Sequence, residues 1–126
     1  MKLQLDTGGG HAILSYTATA IRLPNHSLER SFILCPERLI ADWAPQTLAE
    51  LTPAHFEPVL ALDPEIVLLG TGARLCFPAA GILAPLHDRR IGVEVMDTPA
   101  ACRSYNVLSS EGRRVVAAIF MIQANP

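Results

Sequence analysis

The stretch "EIVLLGTG", Glu65–Gly72, decides the fold. A short unbroken apolar run, Ile66 to Leu69, ends abruptly in Gly70-Thr71-Gly72. Such a run between turn signals reads as a strand covered on both faces, the kind found in parallel sheets. Downstream, "IGVEV" (91–95) alternates like a second strand, and "VVAAIFMI" (115–122) is apolar throughout and reads as the most central strand. Between them lie two helical patterns. Pro78 to Arg90 sets Ala79, Ile82, Leu83 and Leu86 on one side and puts Arg89 and Arg90 in its last turn, where cations suit the helix dipole. Thr98-Pro99 opens another helix, with Thr98 as its cap, and Gly112 closes it from the C′ position. An earlier helix starts at Thr52-Pro53, is shortened by Pro58, and presents Phe56, Val59 and Leu60 on one face. Residues 52–122 thus read as a parallel βαβαβ unit with right-handed crossovers.

Upstream the rhythm differs. Ile21 and Leu23, the turn formers Pro24-Asn25-His26-Ser27, then Leu28 to Leu34 read as an antiparallel hairpin. Residues 1–35 would form a small antiparallel layer, and 36–51, interrupted by Trp43 and Pro45, would be mainly loop. The expected architecture is one α/β domain over 1–126. It has three layers: a central parallel sheet, flanking helices, and a smaller N-terminal antiparallel sheet or hairpin.

Composition narrows the function classes. Half of the 126 residues are hydrophobic and 17% are charged, which argues for a packed domain and against disorder. The net charge of −2 offers no basic field for nucleic acid or anionic membranes. The longest apolar run, Val115–Ile122, is far too short to span a bilayer, and "MKLQLD" reaches Asp6 before any signal-peptide core. Cys35, Cys76 and Cys102 follow no metal spacing, and their odd number fits a reducing compartment. The expectation is a cytoplasmic protein with no metal or cofactor and no transmembrane segment. Nothing in the sequence sets an oligomeric state.

Chemistry-bearing residues gather after the strands. If the strands at 66–69 and 91–95 are neighbours, Gly70, Thr71 and Gly72 would share one edge of the sheet with Asp97 and Thr98. Ligands favour that edge in open α/β sheets. The glycines serve equally for a tight turn, and Asp97-Thr98 for helix capping. Glu94, mid-strand, calls for a cationic partner if covered, and Arg74, Arg103, Arg113 and Arg114 are the candidates for a buried ion pair, Glu94 with Arg103 among them. Cys102, near a helix start, is a candidate reactive thiol, although Ala101, Tyr105 and Leu108 form an inward stripe that would bury it. No complete catalytic set is readable.

"PEIVLLGTG" (64–72) followed by "GVEVMDTPAACRSYNVLSSEGRRVVAAI" (92–119) resembles the domain-of-unknown-function family 498. That family includes mitochondrial NADH:ubiquinone oxidoreductase (complex I) assembly factor 3 and many prokaryotic proteins. The resemblance implies a three-layer fold and no established catalytic residues. By family analogy it implies a non-enzymatic binding or assembly module whose partners are respiratory-complex subunits. The alternative is a small-ligand protein or enzyme using the sheet-edge pocket.

Overall fold

The computed structural model describes residues 11–124. "MKLQLD" and the glycines that follow it lie outside the described residues. Among the described residues eight strands form two sheets. β1 (Ser15–Tyr16), β2 (Ile21–Leu23) and β3 (His26–Leu28) make a small antiparallel sheet in that order. The larger sheet contains β4 (Phe32–Cys35), β5 (Arg38–Ile40), β6 (Ile66–Gly70), β7 (Gly92–Met96) and β8 (Val115–Ile119), ordered β5-β4-β8-β6-β7. β6 runs parallel to both β7 and β8, while β4 is antiparallel to β8 and β5. The α/β class holds, with one correction: the central sheet is mixed, and its parallel part is β8-β6-β7.

The second correction concerns the hairpin. Its turn is the two residues Pro24-Asn25, so His26 and Ser27 already pair in β3. Phe32–Cys35 leaves that layer and joins the large sheet beside β8. All four of its side chains are buried, alternately on opposite faces of the sheet. A strand that is apolar on both sides is stable only where both sides are covered, and the edge of a small hairpin cannot offer that. The 36–51 segment likewise contains a strand, β5, and a 3₁₀ turn at Leu48–Glu50.

Helices cover both faces. Pro53–Phe56 forms a 3₁₀ turn that leads into α1 (Glu57–Leu60). α2 is only Ala84–Asp88: Gly81 has φ +85° and Pro85 lies in the first turn, so the helix expected from Pro78 starts late. Ala79, expected inward, is exposed. α3 (Thr98–Ser110) is the one long helix among the described residues. It shares one face of the large sheet with the small sheet, around Phe32, Leu34, Leu68, Tyr105, Ala117 and Ile119. On the other face Ile33, Val67, Leu69, Ala118 and Phe120 pack with Trp43, Phe56, Val59 and Leu86. β8 occupies the middle of the sheet and is buried along its whole length.

The second core is pinned by stacked rings. Phe120 lies 5.2 Å from Trp43, and the Trp43 indole Nε1–H donates to the His55 carbonyl at 2.9 Å. Phe120→Ala should therefore lower the unfolding free energy by about 3–5 kcal/mol. Denaturant midpoints measure this, and a loss below about 1 kcal/mol would mean that the site collapses without a cavity.

Candidate functional site

β6 and β7 are direct neighbours, and their following loops meet at the carboxyl edge. The Thr71 N–H donates to Met96 O at 2.9 Å, and the Thr98 N–H donates to Gly72 O at 2.8 Å. The Thr98 hydroxyl completes the junction. It accepts the Gly72 N–H at 2.8 Å and donates to Phe120 O at 2.7 Å, fully buried. One side chain thus ties the loop after β6, the start of α3 and the end of β8. The cap of α3 is Asp97, not Thr98: the Asp97 carboxylate accepts the Ala100 N–H at 2.8 Å. The helix begins one residue earlier than a Thr98 cap would require, so Thr98 is its first residue and turns inward.

Thr71 is equally committed. Its hydroxyl lies 2.6 Å from Arg74 O and 3.2 Å from Met96 O, and it accepts the Cys76 N–H at 3.2 Å. Gly70 permits the close fit above it. A Cβ there would come within 3.0–3.1 Å of Ile119 Cδ1, Ala101 Cβ and Thr98 Oγ1. Gly72 serves backbone conformation, with φ +109°, a region that L side chains rarely adopt. Gly70, Thr71, Gly72, Asp97 and Thr98 are therefore brought together, with both hydroxyls spent on backbone groups of the protein.

Glu94 and Arg103 do not form a buried ion pair. Both are exposed, and the Arg103 Nη1 donates to the Tyr16 hydroxyl at 2.8 Å. Among the described residues the ion pairs are Arg30–Asp42 at 3.7 Å and Arg113–Glu65 at 3.3 Å. The Glu65 carboxylate also accepts the Arg114 N–H at 3.0 Å, and that hydrogen bond, reinforced by Arg113, holds its pKa below the ordinary value. Glu94 is uncovered because β7 is an edge strand and α3 lies over β6 and β8 instead.

That offset leaves a groove of about 350 Å³ between β7 and α3. Ile66, Leu68, Met96 and Val107 line it, with Glu94 and Arg103 among its polar residues. Sequence reasoning missed it. Its available signal was Val107, a large apolar residue on the outward side of α3 and 55% exposed. Among the described residues no cluster of His, Cys, Asp or Glu could hold a metal ion, and no helix is long and apolar enough to cross a membrane.

Cys102 is buried beneath α3, and desolvation pushes its pKa up to about 12 against a small opposing pull from Arg103. A neutral, inaccessible thiol is a poor nucleophile. Cys76 is exposed and Cys35 buried.

Residues 13–120 match the family described as "Protein of unknown function (DUF498/DUF598)". An assembly factor of zebrafish (Danio rerio), "NADH dehydrogenase [ubiquinone] 1 alpha subcomplex assembly factor 3", is 31% identical over 119 residues. That alignment takes in 93% of this chain and 68% of the zebrafish protein. A solution structure from Xanthomonas campestris superposes with TM-score 0.81 at 41% identity, covering 92% of this chain and 88% of that one. A Bordetella pertussis protein described as a Mth938-like domain superposes with TM-score 0.82 at 28% identity, covering 99% and 95%. The chain belongs to the DUF498/DUF598 family.

Thr98→Val should cost about 2–4 kcal/mol, because it strands the buried Gly72 N–H and Phe120 carbonyl together. Thr98→Ser keeps the hydroxyl and should cost less than half as much. A Thr98→Val variant as stable as the wild type in urea melts, with the loss confined to Thr98→Ser, would show that the methyl group, not the hydroxyl, matters.

Native alkylation followed by peptide mapping should label Cys76 quickly and Cys102 slowly. The folded-state pKa of Cys102 is raised, so its contribution to stability is complete below the ordinary thiol value of 9.0 and is lost as pH rises toward about 12. Cys102→Ala should therefore weaken alkaline destabilisation in that window. Fast labelling of Cys102 at neutral pH would overturn the assignment of an inert thiol.

Proposed function

We propose that this member of the DUF498/DUF598 family is a non-enzymatic, protein-binding assembly module that serves the biogenesis of a respiratory NADH:quinone oxidoreductase. The observation that carries the reading is the extent of the likeness to the assembly factor, which runs through 93% of the chain. It takes in both cores and the Thr98 junction together. The internal commitment of the polar groups supports it. Thr71 and Thr98 spend their hydroxyls on backbone partners, and the Cys102 thiol is held neutral. A surface with an apolar groove and an open sheet edge suits recognition of another polypeptide better than acid–base chemistry. In this reading the protein works in the cytoplasm, meeting subunits before they are incorporated into the membrane complex.

The test is affinity capture of the tagged full chain from the cells that make it, with crosslinking before lysis. Crosslinked peptides from subunits of an NADH:quinone oxidoreductase are the expected result. Native mass spectrometry showing a stoichiometric small molecule, with no such subunit among the crosslinks, would overturn the proposal in favour of a ligand-binding protein.

A further inference from the structure

Among the described residues β7 is one of the two edges of the large sheet, β5 being the other, and nothing pairs with its outer side. The Gly92 N–H donates to Glu65 O at 3.1 Å, and Met96 O accepts the Thr71 N–H at 2.9 Å, so residues 92, 94 and 96 direct their backbone groups toward β6. By the alternation of a strand, Val93 and Val95 present their N–H and C=O groups outward. Proteins usually blunt such an edge with a bulge, a proline or a covering segment. β7 contains none of the first two, and its α3 side opens into the groove floored by Ile66, Leu68 and Met96. The device it does carry is a charge, Glu94, exposed and outside the ion pairs of the described residues.

Glu94 decides what can dock. A second copy paired antiparallel in full register on β7 would set Glu94 directly against Glu94, and like charges so placed repel. A segment bringing a cation to that position gains instead. Resting on the assembly reading above, we infer that β7 is an acceptor edge on which a partner protein adds an extended segment as a sixth strand. That segment carries a lysine or arginine beside Glu94. Apolar side chains two residues to either side of the cation share its face and enter the groove between β7 and α3. Main-chain bonds to Val93 and Val95 would supply affinity, and the groove and Glu94 would supply specificity.

The probe is a capped peptide, Thr-Leu-Thr-Lys-Thr-Leu-Thr, titrated into the full chain and followed by amide NMR. The expected result is shifts centred on Val93, Val95, Met96 and Val107, with the version carrying Glu in place of Lys binding about fivefold more weakly. Glu94→Lys should invert that preference while leaving the melting temperature near that of the wild type, because Glu94 is exposed. Methylating alternate peptide amides should abolish binding. Shifts confined to other surfaces, a preference unchanged by Glu94→Lys, undiminished binding of the methylated peptide, or dimers paired through β7 would each overturn the inference. Using Glu94→Lys as bait in the capture experiment separates the two proposals. Subunits retained equally by the variant would remove the β7 edge and keep the assembly role; subunits missing even with the wild type would remove the role itself.

Discussion

The Thr98 hydroxyl is the contact on which the arrangement of this domain turns. It receives the Gly72 N–H and gives its proton to Phe120 O, joining three chain segments that are distant in sequence. Each bond contributes only about 1 kcal/mol net, yet burial makes their loss more costly than their formation is favourable. Around this junction the parallel strands β8, β6 and β7 keep their ends level, and α3 is pressed onto the sheet at the site where Gly70 has no side chain. The junction is a structural element with the composition of an active site: two threonines, an aspartate, and glycines after parallel strands.

That composition explains what could be read from the sequence. The strands at β6, β7 and β8 announce themselves in different ways: β6 as a short apolar run ended by glycine, β7 by alternation, and β8 by an unbroken apolar stretch. α3 was equally legible from Pro99 and Gly112. The partner of Phe32–Cys35 was not, since its residue types suit a hairpin arm and a central strand alike, and its true neighbour β8 lies at the far end of the chain. Asp97 and Thr98 are both good capping residues, and only the phase of the helix, fixed by packing on Ile119 and Gly70, sends one to the cap and the other inward. The exposure of Glu94 is hidden from the sequence for a related reason. It depends on the sideways position of α3 over β6 and β8, which no local pattern records.

The two faces of β7 show how an edge can be covered unevenly. Val93 and Val95 point toward the core that contains Leu86, whereas Gly92 and Glu94 are exposed on the side of α3. The strand is therefore held firmly from one side and open on the other. The Arg103 guanidinium, which could have neutralised Glu94, is turned to the Tyr16 hydroxyl and links α3 to the small sheet. The charge on β7 is thus kept for solvent or for whatever meets the groove.

The central position of β8 also has a consequence for biosynthesis. β4 and β6 flank β8 and do not pair with each other. Until the ribosome has made the chain through Ile119, the β4–β5 hairpin and the β6–β7 pair are separate fragments, each with an unfilled inner edge. Non-local pairings of this kind slow folding and leave strand edges exposed to aggregation. Val115–Ile119, apolar at every position, then enters between them as a single wedge and closes both at once. The half-synthesised chain, rather than the finished domain, is the form of this protein that most needs a chaperone.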